Sequence, residues 1–340
     1  MSLQNDSARP TARIATDEIP IVDIGPVLGG APHAIEHAAA AFHEACTGMG
    51  FLFLTNHGID DEMIARAFEA SRRFHALPMG EKLKVRMNRH QCGYMPPNVS
   101  IHKDSFETHS TAQKAQVSEA FKFTFDLSPN DPDFGQNKRF RGHNKWPDEK
   151  TAPGMRDAFM EFHETFEAFA QKLLPVLSVA LEMPADFFGP FFERSSSMTR
   201  IAHYPPIPDQ NEEISLPGHK DLSFLSLIPP ATHPGLEILT PAGEWIAQPV
   251  VPEGLLFNTG STLCRWSNDV YQATPHRVRA AVDTDRHSNI FFLYPNVDAL
   301  MKCVPSCASA DNPAKYPPVT FGEFHAGYAA RNFAYAEDWD

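Results

Sequence analysis

The stretch "LPGHKDLSFLSLIPP" (216–230) sets an imidazole, His219, and a carboxylate, Asp221, two residues apart at the entry of an apolar run. On a β-strand, side chains two apart leave the same face, so these two groups converge while Lys220 points away. They supply half of a metal site. His276, in the strand-like run "ATPHRVRAAV", is the candidate third ligand. Two imidazoles and one carboxylate on one side of a metal leave the opposite positions open, the donor set associated with non-haem Fe(II) and dioxygen chemistry.

A second constellation lies ten residues further on. "DRHSNIFFLYP" places Arg286 and Ser288 on the strand face that also carries Ile290, Phe292 and Tyr294, and alternation turns His287 the other way. A guanidinium aimed into an aromatic interior needs an anion, and that face of the strand offers none. A ligand carboxylate gripped by the guanidinium fork, with the Ser288 hydroxyl as a further donor, meets the need. Tyr204, in "AHYPP", is a third candidate donor.

The elements that must position these groups follow from the texture of the chain. Residues 1–18 are polar and patternless and read as a flexible tail. "IPIVDI" (19–24) and "FLFLTNHGI" (51–59) read as strands, with His57 organising a turn; 33–48 and "EMIARAFEASRRFHAL" read as helices, the second capped by Asp60 or Asp61. Residues 88–118 form a long polar segment, a loop over a functional region or a lid. In "EAFKFTFDL" (119–127), Phe121, Phe123 and Phe125 share one strand face. From Asp157, Phe159, Phe162, Phe166, Phe169 and Leu173 recur at helical spacing, and Pro175 is expected to kink that helix. After about residue 195 the chain becomes short apolar runs separated by Pro, Gly, Asn and Asp, the texture of a β-sandwich or barrel.

Composition narrows the function classes. The 340 residues are 42% hydrophobic with a net charge of −13, and no Lys/Arg block exceeds a pair. Binding to nucleic acid or anionic membrane needs clustered cations, so a small-molecule partner is expected. The first residues lack a secretory leader and no long apolar run occurs, which predicts a cytoplasmic protein without membrane spans. The five cysteines are odd in number and lack the spacing of a zinc or redox motif, so they are expected to be free thiols.

Taken with "IPIVDI", "GFLFLTNHGI", "FHALPMGEKLKV", "NKWP" and "YPPVTFGEF", the motifs "HKD", "TPHRV" and "RHSNIFFLYP" give a chain that resembles the 2-oxoglutarate- and Fe(II)-dependent oxygenases of the isopenicillin N synthase-like group over roughly residues 19–333. The resemblance implies an α+β fold with a mostly β core, a double-stranded β-helix or jelly roll with flanking N-terminal helices. It implies a single domain over 19–340: a helical half (19–194) packed on a β core (195–300), with a closing segment (301–340). It further implies iron ligands at His219, Asp221 and His276, and a co-substrate grip at Arg286, Ser288 and Tyr204. Fe(II), 2-oxoglutarate and O2 are then the expected cofactor and co-substrates. The expected reaction hydroxylates, desaturates or cyclises a small organic molecule and releases succinate and CO2. Phe292, Tyr294, Phe121 and Phe123 are candidates for the substrate wall. The alternatives are a 2-oxoglutarate-independent Fe(II) oxidase of the same fold, a zinc hydrolase, and a non-catalytic jelly-roll binding protein. The motifs encode neither the substrate nor the oligomeric state.

Overall fold

The computed structural model describes residues 12–14, 18–99, 117–134, 140–207, 214–279, 281 and 283–332. Its helices form where apolar side chains recur three or four apart. Ala34–Thr47 buries Ala38, Phe42, Ala45 and Cys46 along one stripe. Asp61–His75 starts at Asp60, whose carboxylate accepts a hydrogen bond from the Glu62 amide at 3.0 Å. That bond satisfies one of the amides every helix start leaves unpaired.

The Phe stripe makes the longest helix, Met155–Ala180. Phe162 and Phe166 stack at 4.1 Å between ring centroids, and Phe159 stacks on Phe123 at 5.5 Å. Pro175 does not end the helix, which runs on past it to Ala180. Leu173, Leu174, Val176 and Leu177 are all buried there, and their packing outweighs the hydrogen bond that proline removes.

Two sheets carry the rest. The larger has eight strands in the order Ile21–Asp23, Phe51–Thr55, Leu255–Thr259, Leu225–Ile228, Arg286–Leu293, Met198–Tyr204, Glu119–Phe123, Gly93–Met95. The smaller has five, in the order Arg13–Ile14, Trp245–Ala247, Leu236–Leu239, His276–Arg279, Ile214–His219. Leu216, Ile238 and Val278 of the smaller sheet share an apolar cluster with Ala202, Leu256 and Ile290 of the larger. Ile201, Leu227, Phe257 and Phe291, on the reverse face of the larger sheet, pack instead with the helices. The protein is therefore three layers deep, helices on sheet on sheet, with a jelly-roll core as its family resemblance implied.

Three expectations are corrected. The N-terminal half is not only a helical cover, since it lends four strands to the larger sheet. Within the expected tail, Arg13–Ile14 pairs in parallel with Ile246 and Ala247. Within the expected 88–118 loop, Gly93–Met95 forms the edge strand beside Glu119–Phe123, while residues 100–116 lie outside the described residues. All five cysteines are free thiols. Among the described residues no helix is long and apolar enough to cross a membrane.

Candidate active site

His219 ends one strand of the smaller sheet and His276 begins its neighbour, and the two residues are register partners. That pairing sets their rings 4.5 Å apart between centroids. Asp221 lies two residues past the strand end, in the connection to Leu225–Ile228, so that connection and not strand alternation brings its carboxylate toward them. Asp221 Oδ1 is 3.6 Å from His276 Nε2 and 3.9 Å from His219 Nε2. Among the described residues this is the one trio of such donors gathered within 4.8 Å.

The surroundings fix which atoms are offered. His219 Nδ1 is 2.9 Å from the Pro217 carbonyl oxygen and His276 Nδ1 is 3.2 Å from that of Thr274. Carbonyl oxygens only accept, so each Nδ1 carries the proton and each Nε2 presents a lone pair toward Asp221. Asp221 Oδ2 accepts from Ser226 Oγ at 2.6 Å and from Asn258 Nδ2 at 2.9 Å, which leaves Oδ1 for the centre. Burial alone drives the Asp221 carboxyl upward, but the two imidazoles and the Ser226 hydroxyl more than reverse this and hold it well below the usual carboxylate range. It stays ionised, as a metal ligand must. Neither Ser226 nor Asn258 stands out in the sequence, because their roles depend on where two separate strands meet.

Arg286 is buried in the other sheet, opposite Tyr204 in register and with its guanidinium 4.9 Å from that ring. Its Nε donates to the His233 carbonyl at 3.0 Å, an anchor the sequence did not reveal. Gly235 permits the approach: a Cβ there would stand 3.3 Å from Arg286 Cδ. Among the described residues, the buried Arg286 Nη1 has no hydrogen-bond partner. Burial lowers its affinity for the proton, Tyr204 partly opposes this and Arg200 adds to it, so a charged Arg286 gains from an anion brought to its side. Ser288 is buried two residues on along the same face.

Two adjoining cavities meet at the donor trio. The inner one, about 40 Å³, is bounded by Arg286, Ser288, Tyr204 and His276, and the outer one, about 90 Å³, by Phe292, Tyr294, His325 and Tyr328 among others. His219 and Asp221 border both. His325 and Tyr328 come from the closing helix Phe321–Asn332 and escaped the sequence reading. Phe292 and Tyr294 stand where expected, stacked at 6.1 Å. Phe121 and Phe123 do not: they lie on the helix side, against Phe74, Trp146 and Phe159, and the intervening Lys122 faces the cavity. The apolar helix layer is the better solvent for two phenyl rings than a polar chamber. His287 also faces the helices and pairs with Ser71 at 3.1 Å, while His57 accepts from the Ile59 amide within its turn.

Donor chemistry, the open side of the trio and the Arg286 guanidinium with its Nη1 to spare together fit iron and a dicarboxylate. Comparison with known proteins agrees. Residues 19–149 match the family model for the non-haem dioxygenase in morphine synthesis N-terminal region, and 195–295 match the 2OG-Fe(II) oxygenase superfamily. The chain is 29% identical to kihadalactone A synthase LFS of Citrus sinensis, covering 90% of this chain and 91% of that protein. It is 31% identical to azadirone synthase LFS of Melia azedarach, covering 85% and 87%. The crystal structure of a full-length Neurospora crassa protein in complex with alpha-KG and 5-formyluracil shares its fold, with a TM-score of 0.79 at 22% identity over 95% and 99% of the two chains. The chain belongs to the 2OG-Fe(II) oxygenases of the isopenicillin N synthase-like type. It is an Fe(II)- and 2-oxoglutarate-dependent dioxygenase.

Proposed function

We propose that His219, Asp221 and His276 hold the iron, that Arg286, Ser288 and Tyr204 hold the far carboxylate of 2-oxoglutarate in the inner chamber, and that the outer chamber receives the organic substrate. The observation that carries this reading is the placement of His219 and Asp221 at the wall common to two chambers, the inner one also bordered by His276 and by Arg286, whose Nη1 has no hydrogen-bond partner among the described residues. When bound, iron would let dioxygen oxidise a substrate C–H bond while 2-oxoglutarate is decarboxylated to succinate and CO2.

The chain's own contribution is placement. Ser226 and Asn258 keep Asp221 Oδ1 directed at the centre, and the Pro217 and Thr274 carbonyls keep each imidazole in the tautomer that donates from Nε2. Arg286, braced by the His233 carbonyl, offers Nη1 to the co-substrate. Phe292 and Leu216 border both chambers and give their junction apolar surface. A substrate seated against this wall has its reactive bond held near the metal, and holding reacting groups in register accounts for much of an enzyme's rate advantage.

Arg286→Ala tests the assignment. Its loss leaves a carboxylate unpaired in a buried site, which raises the 2-oxoglutarate KM by roughly 10²-fold with iron binding retained. An unchanged KM, measured by succinate release against 2-oxoglutarate concentration, contradicts the co-substrate role.

A further inference from the structure

A turn in the wall of the outer chamber holds one polar side chain in a conformation that a chain of L-residues avoids. Asn88 Oδ1 accepts from the His90 amide at 2.9 Å and from the Cys92 amide at 3.1 Å. The Asn88 amide donates to the Cys92 carbonyl at 3.0 Å, and the Gln91 amide donates to the Asn88 carbonyl at 2.8 Å. Asn88 is itself anchored, since its Nδ2 donates to the His143 carbonyl at 3.2 Å. These bonds hold Gln91 at a φ of 63°, in the left-handed region that favours glycine and strains a residue with a side chain. Gln91 is 3% exposed and borders the outer chamber together with His219 and Asp221, but not the inner one. Among the described residues its Nε2 has no hydrogen-bond partner. Buried amide donors are nearly always paired, because an unpaired one loses its hydration and gains nothing in return. Neither the strained backbone nor the orphaned donor stabilises the fold, and strain kept in place by surrounding bonds is characteristic of residues held for a ligand.

We propose that Gln91 is a specificity-determining residue whose Nε2 donates to an uncharged carbonyl oxygen of the organic substrate, so that this dioxygenase oxidises a largely apolar ketone, lactone or amide. The inference rests on the reading of the outer chamber as the substrate chamber. A carboxamide NH2 group only donates, so its partner must bring an acceptor. A carbonyl brings acceptors alone, whereas a hydroxyl would also bury a hydrogen that needs a partner of its own. Met95, Met198, Leu216, Leu222 and Phe292 offer apolar surface to the carbon skeleton. A few placed polar groups among apolar ones are what fix a ligand's orientation in such a chamber. With its carbonyl held at Gln91, the substrate presents the same C–H bond to the metal site at each turnover.

The test uses the Fe(II)- and 2-oxoglutarate-loaded protein without oxygen, followed by the visible charge-transfer band of the chelated keto acid. The probes are 1-indanone, 1-tetralone, 4-phenylcyclohexanone and dihydrocoumarin, each beside the analogue with a methylene in place of the carbonyl: indane, tetralin, phenylcyclohexane and chromane. For at least one pair, the ratio of carbonyl to methylene affinity is expected to fall roughly tenfold in Gln91→Met, which keeps the volume and removes the donor, since a buried hydrogen bond contributes up to about that factor. Gln91→Glu, whose carboxylate only accepts, loses the same preference. Both variants keep the wild-type 2-oxoglutarate affinity, because Gln91 does not border the inner chamber. Gln91→Met melts no lower than wild type, a readout that a carboxamide serving only the fold would move. Binding of no carbonyl probe, a ratio unchanged in both variants, or a lowered melting temperature in Gln91→Met overturns the proposal. A wild-type protein that binds iron yet shows no band with 2-oxoglutarate fails at the earlier step, and overturns the co-substrate reading instead.

Discussion

At the scale of single residues, the site is a set of atoms each given one task by its neighbours. Asp221 divides its oxygens, Oδ1 to the donor trio and Oδ2 to Ser226 and Asn258. Asp221→Ala removes a ligand, so iron retention after desalting, measured by metal analysis, falls to background. Asn258→Ala leaves the ligand but frees it to rotate, and iron affinity is expected to drop roughly 10-fold to 100-fold, the usual effect of losing a partner that orients a ligand. Wild-type affinity in that variant shows that Ser226 alone suffices. The Arg-x-Ser pair was legible because strand alternation brings Arg286 and Ser288 to one side, whereas the His-x-Asp pair was found by the same rule although Asp221 stands beyond the strand end. Alternation does not say which side faces the cavity. Phe121 and Phe123 were placed on the wrong one, and Lys122 and Arg200, which are polar and belong to the chamber, were passed over for the same reason.

At the scale of elements, the helix layer is held to the large sheet by buried imidazoles as well as by phenyl rings. His163, on the long helix, lies 2.8 Å from Thr199 Oγ1 and is fully buried, and burial pushes its pKa down to about 3. His287 and His75 sit between the Asp61–His75 helix and the sheet, and burial lowers them to about 4 and about 3. Each stays neutral in the fold while the unfolded chain takes up a proton near 6.5, so the stability they support is complete above that pH. It is lost as pH falls from about 6.5 toward 3, by up to about 1.4 kcal/mol per pH unit for each group. His203 runs the other way. Burial lowers it, but Glu119 and Asp285 more than reverse that, so its contribution is present below 6.5 and fades as pH rises through its elevated value. His163→Asn is expected to melt lower than wild type at pH 7.5 and to show a flatter melting curve against pH between 6.5 and 4; a slope equal to wild type contradicts the assignment. At the start of the Asp61–His75 helix, Asp60→Ala removes the cap and costs about 1 kcal/mol, read from urea midpoints. The helices were legible from their apolar stripes, because the side chains that pack on the core recur three or four apart.

At the scale of the whole molecule, two faces of one sheet do different work. Helices bury the outer face, and the small sheet closes on the inner face to leave two chambers that meet at His219 and Asp221. The strands of the small sheet bring His219 and His276, the large sheet brings Arg286, Ser288, Tyr204 and Arg200, and the last helix adds His325 and Tyr328 to the rim. A short apolar run shows that it is a strand but not which strand it pairs with, so Ile21–Asp23, Phe51–Thr55 and Glu119–Phe123 were legible as strands while their places in the large sheet were not, and Gly93–Met95 was missed within a polar segment. The central claim is that these sheets hold iron at the trio and a chelating 2-oxoglutarate against Arg286. Anaerobic titration of the apo-protein with Fe(II), with and without 2-oxoglutarate, tests it most directly. The account predicts a single Fe(II) per chain, a visible charge-transfer band that develops only with 2-oxoglutarate, and loss of that band in Arg286→Ala at the same concentrations while iron still binds. Stoichiometric iron binding with no band in the wild-type protein contradicts it.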